Sequence, residues 1–390
     1  MMLTTKIKFN NFLIKTKNSK IKKIYQSLKK NFFKGDLKFM ISMSKNYKYN
    51  FNRKLIKKYR KFSYFRIIGM GGSILGTKAI YYFLKKKIKK NFYFIDNLDK
   101  KISLSKEKKI INIIVSKSGN TLETICNSNF VINNKNNIII TEKKKNYLNV
   151  LANKIKADVI EHKNYIGGRY SVLSEVGMLP SELMGLKEHD FKRLNYLIEN
   201  KKFVNQLVKN VSAITSLIKK DKYLSIILNY DNRSESLFKW YQQLIAESLG
   251  KKSNGLLPII SNMPKDNHSL MQYYLDGQKN SFYTFFNVKD KKSRKINSKN
   301  LLKSHIYLKN KNLQNIINAQ LLATQNIFTR KKIPFRSFEI IERSEKTIGE
   351  IFCFFILETI LLGKALNVNP FDQPSVELIK NETKKIFLKN

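Results

Sequence analysis

The stretch Tyr64-Phe-Arg-Ile-Ile-Gly-Met-Gly-Gly-Ser-Ile-Leu-Gly76 decides the architecture. Its first five residues have the aromatic and β-branched character of a strand, and a glycine-rich loop follows directly and opens a helix. A strand that feeds a helix in this way belongs to a parallel sheet covered on both faces, and such sheets bind ligands at the carboxyl ends of their strands. The loop offers bare backbone N–H groups and a helix N-terminus to an anion. It is not the dinucleotide-binding fingerprint, because the third glycine would fall at Ile74; Asp96, at the end of the next strand, is therefore not read as a ribose-binding acid.

The same alternation continues downstream. Strands are expected at 64–68, 92–95, 111–115, 138–140 and 159–160. Helices from about Leu186 to Lys219 lead to a second series at 223–228, 256–260, 282–287 and 335–341. Two sheets of one kind imply a duplicated architecture, although no sequence repeat accompanies it. Residues 1–60 read as Lys-rich helices, with Ile21, Ile24, Tyr25 and Leu28 at helical spacing and no recognisable chemistry. The Lys/Asn segment 289–300, with 309–312 beyond it, reads as exposed loop. A long apolar helix from about Thr347 to Leu366 precedes a connection stiffened by Pro370 and Pro374, then a short terminal helix. The expected division is a helical segment 1–60, a first, phosphate-binding domain 61–200, a second domain 201–345, and C-terminal helices 346–390 packing back on the active site.

With 390 residues, 42% of them hydrophobic, the chain can bury a large core. Its 75 Lys+Arg against 28 Asp+Glu give a net charge of +47. The lysines are spread through the chain together with Asn and Ile and form no basic stripe among aromatics, so no specific nucleic-acid partner is expected, only weak salt-sensitive attraction to polyanions. Cys126 and Cys353 lie in apolar helical patterns, which fits a reducing compartment without disulfides. The most apolar run, Ile351 to Leu362, is interrupted by Glu358 and is too short to span a bilayer, so no membrane partner is expected. The N-terminus has no apolar core of signal-peptide type, and the expected location is the cytoplasm.

Four further stretches carry chemistry. In Val115-Ser-Lys-Ser-Gly-Asn-Thr-Leu-Glu-Thr124, Ser116, Ser118, Thr121 and Thr124 place four hydroxyls, and Lys117 a cation, at a strand-to-helix junction that favours a dianion. The plain alternative is an ordinary Ser/Thr helix cap. In Gly167-Gly-Arg-Tyr-Ser171, a double glycine permits close backbone approach and constrains Arg169, which suits it to hold developing negative charge. In Trp240-Tyr-Gln-Gln-Leu-Ile-Ala-Glu-Ser-Leu-Gly-Lys251, Gln243 and Glu247 share a helix face, and Gly250 is placed as a left-handed stop. The negative end of the helix is expected to raise the proton affinity of Glu247, as suits a general base. Finally, the prolines fix Gln373, Glu377 and Lys380 in Asn369-Pro-Phe-Asp-Gln-Pro-Ser-Val-Glu-Leu-Ile-Lys380.

Together these blocks resemble the phosphoglucose isomerase family. The Gly-Gly-Arg-Tyr-Ser, Glu-Ser-Leu-Gly-Lys and Asn-Pro-Phe-Asp-Gln-Pro blocks are specific to it, whereas the Ser116–Thr124 block is shared with sugar-isomerase domains at large. The resemblance implies an α/β fold of two flavodoxin-like sugar-isomerase domains and interconversion of glucose 6-phosphate and fructose 6-phosphate through a cis-enediolate. It implies that Glu247 moves the proton between C1 and C2, that Arg169 steadies the enediolate, and that His268 opens the sugar ring with Lys380. Ser116, Ser118, Thr121, Thr124 and the backbone of Lys117 would hold the phosphate; Gly72, Ser73, Gln243 and Gln373 would line the sugar. It also implies a homodimer in which the histidine comes from the neighbouring subunit. No cofactor is expected and no metal, since His162, His189, His268 and His305 show no ligand spacing. Two departures stand out: Ser118-Gly-Asn replaces the more usual Thr-Phe-Thr, and Ser375 stands where glycine is customary. The competing readings are an isomerase of mannose 6-phosphate or mixed specificity and a non-catalytic sugar-phosphate-binding regulator.

Overall fold

A computed structural model describes residues 1–99, 109–132, 136–290 and 293–389. Residues 291–292 of the Lys/Asn segment lie outside them. The chain opens with a strand, β1 (Ile7–Asn10), where only helices were expected. β1 pairs antiparallel with the last strand, β10 (Phe335–Ile340), with Ile7 opposite Ile340 and Phe9 opposite Phe338. Ile7 and Phe9 point inward while Asn10 is exposed and Lys8 reaches Glu339 at 2.9 Å, the alternation of an edge strand. The helices α1 (Ser19–Phe33) and α2 (Arg53–Arg60) follow, as expected from their spacing.

The first sheet contains β2 (Tyr64–Ile68), β3 (Asn91–Ile95), β4 (Ile110–Val115), β5 (Asn137–Thr141) and β6 (Asp158–Glu161), in the order β3-β2-β4-β5-β6. Every pairing is parallel. β4 and β5 are buried at each residue, which is why they read as isoleucine runs without alternation. Helices α3 (Leu75–Phe83), α4 (Leu122–Val131) and α5 (Tyr147–Ile155) connect them, and α6 (Glu175–Leu183), α7 (Leu194–Glu199) and α8 (Lys201–Ile218) lead onward.

The second sheet, in the order β1-β10-β9-β7-β8, contains β7 (Leu224–Asn229), β8 (Leu257–Asn262) and β9 (Ser281–Val288). Its helices are α9 (Glu235–Leu249), α10 (Met271–Asp276), α11 (Leu313–Arg330) and α12 (Glu345–Ala365), and α13 (Pro374–Lys389) ends the chain. α9 lies between the sheets, packed on α3 on one side and on α12 on the other. α12 is apolar on all sides and buried along nearly its whole length. Residues 346–390 do not all behave as expected: α12 is a core helix, the turn 369–373 packs on Arg169, and α13 has no buried residue, so it does not pack back. Among the described residues no helix is long and apolar enough to cross a membrane.

Two buried cations brace the middle of the molecule. Arg336 and Glu358, both fully buried, form an ion pair behind α9. Arg336 also donates to Thr284 Oγ1 at 2.9 Å and Asn210 Oδ1 at 2.9 Å, while Tyr241 on α9 donates to Glu358 Oε1 at 3.0 Å. Glu358, which interrupts an apolar run in the sequence, is thus the anionic half of a satisfied network. The second cation, Lys192, donates to the carbonyls of Ser42 and Leu173 and lies 4.8 Å from the ring centroids of both Tyr47 and Tyr49. It therefore ties the N-terminal turn Lys38–Met43 to the turn Gly168–Leu173 that carries Arg169.

These cations give two predictions. Removing one partner of the fully buried pair, as in Glu358→Gln, leaves an uncompensated charge and costs about 3–5 kcal/mol, whereas Arg336→Met with Glu358→Leu recovers most of that loss; urea unfolding measures both. Burial lowers the Lys192 pKa from 10.5 to about 7, with Glu175, Cys353 and Glu188 opposing and Lys163 adding to the shift; burial pushes Cys353 up to about 12 and Tyr47 upward as well. Because the unfolded chain then binds more protons between pH 7 and 10.5, the Lys192 contribution is fully present above that window and is lost as pH falls to about 7. The stability gap between the wild type and Lys192→Met should therefore shift in favour of the wild type from pH 7 to pH 9.5, as read by unfolding at the two pH values.

Candidate active site

The glycine loop after β2 meets the double-glycine turn backbone to backbone. A Cβ at Gly72 would lie 2.2 Å from the carbonyl carbon of Gly168, so neither a side chain nor a shift of either segment fits there. This contact fixes Arg169, which is 3% exposed and fully engaged. Its Nε donates to Ser248 Oγ at 2.8 Å, and its Nη1 to Gln373 Oε1 at 2.6 Å and Glu247 Oε2 at 3.1 Å. Nη2 donates to the carbonyls of Pro370 at 2.8 Å and Asp372 at 3.0 Å. Next to it, the Tyr170 hydroxyl donates to Pro370 O at 2.9 Å, and Trp240 Nε1 donates to Arg169 O at 3.2 Å.

Glu247 completes the cluster from the last turns of α9. Gln243 Nε2 donates to its Oε1 at 2.8 Å, across the single turn that the i,i+4 spacing implied. The Glu247 side chain is 30% exposed, against 3% for Arg169. The Arg169 guanidinium lies against the same carboxylate, a neighbour whose position could not be known from the chain alone. Gly250 also differs from expectation. It has φ −72 and is not left-handed, and a glycine is needed because a Cβ would meet the Ala246 carbonyl at 2.7 Å. The left-handed residues are Lys252 and Ser253, in the turn before β8.

Beside the glycine loop, where Gly69 packs on the Val115 carbonyl, lies the hydroxyl-rich loop after β4. Ser116 Oγ and Thr121 Oγ1 are 2.8 Å apart, Gly119 N donates to Ser116 Oγ at 3.2 Å, and Asn120 N donates to Ser118 Oγ at 3.2 Å. Thr121 occupies the N-cap position of α4 without a side-chain cap bond, so these hydroxyls are not spent on an ordinary cap. Thr124 Oγ1, together with Gln243 Oε1, is buried and without a hydrogen-bond partner among the described residues. Lys117 turns its amine to Asn164 O at 2.7 Å and towards Glu142 Oε1 at 3.6 Å, which leaves its backbone as its contribution to the loop. Burial lowers its pKa, with Glu142 opposing. The Ser118-Gly-Asn departure seats the loop on α5: Gly119 is left-handed at φ +70 against Asn146, and Asn120 Oδ1 accepts from Tyr147 N at 2.9 Å. Ser73 is half-buried at the start of α3.

His268 and Lys380 stand apart from this cluster. β8 lies in the chain between the end of α9 and the turn bearing His268. His268 is exposed, and among the described residues no hydrogen bond or ion pair joins it to Glu247. Lys380 is on exposed α13, paired with Glu377 at 2.7 Å. Ser375 falls in the first turn of α13 and takes no left-handed backbone, so it carries no strain of that kind. Sequence reasoning missed Ser248 and the carbonyls of Pro370 and Asp372, and it missed Lys251, whose Nζ donates to Asp372 O at 2.7 Å and Oδ1 at 2.6 Å. It also missed Phe39 of the N-terminal segment, whose ring lies 5.3 Å from that of Tyr170 and 5.1 Å from that of Phe371. No group of His, Cys, Asp and Glu able to hold a metal ion is found among the described residues.

The family model for phosphoglucose isomerase matches residues 58–389. The chain is 32% identical over 339 residues to a glucose-6-phosphate isomerase of Methanocaldococcus jannaschii, covering 82% of each chain. It is 30% identical over 402 residues to a probable glucose-6-phosphate isomerase of Methanococcus maripaludis, covering 94% of this chain and 88% of the relative. Among solved structures, a hypothetical protein of Thermus thermophilus superposes with a TM-score of 0.82 at 22% identity, covering 95% and 96% of the two chains. A glucose-6-phosphate isomerase of Chlamydia trachomatis gives a TM-score of 0.67 at 20% identity, covering 86% and 71%; both share the fold. With the match running through the glycine loops, the hydroxyl loop, α9 and the C-terminal turn, the chain belongs to the phosphoglucose isomerase family.

Proposed function

We propose that this protein is a glucose-6-phosphate isomerase, which interconverts glucose 6-phosphate and fructose 6-phosphate. The observation that carries the reading is the Glu247 carboxylate, held between the Gln243 amide and the Arg169 guanidinium at the edge of two glycine-lined loops. A carboxylate fixed by two donors keeps lone pairs free for a carbon-bound proton, and a buried cation beside it is placed for the charge of an enediolate. In the aldose-to-ketose direction Glu247 takes the proton from C2, the electrons form the C1–C2 double bond and move onto O1, and as the proton is returned to C1 the O2 hydroxyl becomes the carbonyl, its proton passing to O1.

Ser116, Ser118, Thr121, Thr124 and the Lys117 backbone would hold the phosphate, and the unpartnered Thr124 hydroxyl supports that assignment. Gly72, Ser73, Gln243 and Gln373 would face the sugar. Ring opening falls to His268 with Lys380. Among the described residues no hydrogen bond or ion pair joins the exposed His268 to Glu247 in one chain, which supports a homodimer whose partner supplies the histidine. Lys380 lies seven residues beyond Gln373, about 10 Å along α13. Two free cysteines fit a reducing, cytoplasmic setting.

Glu247→Gln should abolish exchange of solvent protons at C2 while fructose 6-phosphate still binds, and His268→Ala should be slow on the ring form of the sugar. Mixing the two variants after dissociation should restore activity, because one site of each hybrid then has both native groups. Exchange persisting in Glu247→Gln would rule out the base assignment; mixtures that stay inactive despite forming hybrids would rule out the shared site.

A further inference from the structure

The turn 369–372 is poor in donors and rich in carbonyls that need one. Pro370, like Pro374 after it, has no N–H to give. Asn369 O, Pro370 O and Asp372 O accept instead from two cations outside the turn, Arg169 and Lys251. Lys251 Nζ donates to Asn369 O, to Asp372 O at 2.7 Å and to Asp372 Oδ1 at 2.6 Å, so all three of its donors end on this one turn. Its side chain is 13% exposed although that of its acidic partner Asp372 is 53% exposed. An ion pair with an exposed acid contributes little to stability by itself, so the two carbonyl contacts need another account. The backbone of Lys251 is itself fixed: Lys251 N donates to Asn254 O at 3.1 Å and Asn254 N to Lys251 O at 3.0 Å. Lys251 stands four residues after Glu247, so the helix end that carries the candidate base leads directly into this cation.

We infer that Lys251 is a positioning residue for the isomerisation: it clamps the turn 369–372 to the end of α9 and so holds Gln373 and the carbonyl partners of Arg169 in register with Glu247. This role rests on the isomerase reading and deepens it with a residue that acts through others. Arg169 and Lys251 grip the turn together, since Asp372 O accepts from both. Without the lysine the polar hold falls to Arg169 and Tyr170, and Nη1 of that arginine already serves Gln373 and Glu247. Phe371 stays packed on Phe39 and Tyr170, and Pro370 on Gly363, so the turn loosens without detaching. A shift of roughly 1 Å in a reacting group is enough to lose about 10²-fold in rate. α13 has no buried residue and its two ion pairs are internal, so the turn also fixes where that helix starts. Among the described residues no hydrogen bond joins the turn to the hydroxyl loop 116–124, which leaves the phosphate end of the site outside the clamp.

Steady-state kinetics of full-length Lys251→Met with fructose 6-phosphate, together with inhibition by inorganic phosphate, tests this. kcat should fall by about tenfold or more, while the inhibition constant of phosphate stays within about twofold of the wild type. Lys251→Arg keeps a charged donor for the same carbonyls and should recover most of the lost turnover; Asp372→Asn leaves both carbonyls in place and should lose less than Lys251→Met. Independently of activity, hydrogen exchange read by mass spectrometry should quicken at 369–373 in Lys251→Met and stay unchanged at 116–124. Should Lys251→Met fail to fold, Asp372→Lys sets a like charge against the ammonium at an exposed side chain and should lower kcat by about tenfold. A folded Lys251→Met, or in its place Asp372→Lys, that turns over within about twofold of the wild type overturns the clamp and leaves the isomerase reading standing. An equal loss of phosphate affinity does the same, because it marks a general disturbance. A wild-type chain that does not convert fructose 6-phosphate overturns the isomerase reading and this role with it, whatever the exchange shows.

Discussion

A guanidinium withdrawn from water must find a partner for each of its donors, and Arg169 finds them in two separate parts of the chain. Its side chain joins the end of α9 at Ser248 and Glu247, the turn 370–372 through two carbonyls, and Gln373 at the start of α13. The backbone behind it is pressed against the glycine loop of the first sheet. One residue thus sets the distance between the first sheet, the helix that carries the candidate base, and the C-terminal turn. Because its donors are already committed, it acts as a fixed charge with little to reorganise when negative charge develops on a substrate, which is the condition under which a buried cation is most effective.

The rest of the interior keeps that arrangement in place. α9 is held from behind by Tyr241, which reaches the Arg336–Glu358 pair, and by Trp240, whose ring lies 4.7 Å from that of Phe352. The Arg169 turn is held from below by Lys192 and flanked by Phe39, both linked to an N-terminal segment that has no chemical signature of its own. The large net charge of the chain plays no part in this. The cations that matter are few, buried and individually satisfied.

Much of the fold was legible because the parallel strands are isoleucine-rich runs followed by distinct loops; apart from β1, the described strands fall within a residue or two of their expected positions. β1 was not legible, since four residues, Ile7 to Asn10, are too few to separate a period of two from one of 3.6, and their partner β10 is at the far end of the chain. Glu358 read as a break in an apolar run because its counter-ion Arg336 is supplied by another element. At the site, the residue types in the quoted blocks were readable, but their relations were not. Backbone carbonyls such as those of Pro370 and Asp372 leave no mark in a sequence. The proximity of Arg169 to Glu247 emerges only when the two sheets are placed against each other.

The central claim, that a fully bonded guanidinium organises the site, is tested most directly by the turnover of Arg169→Lys with fructose 6-phosphate as substrate. Lysine keeps the charge and loses the planar fork that reaches Ser248, Glu247, Gln373 and two carbonyls at once. The account predicts that kcat falls by about 10²- to 10³-fold while the protein stays folded. A folded variant turning over within twofold of the wild type would contradict it.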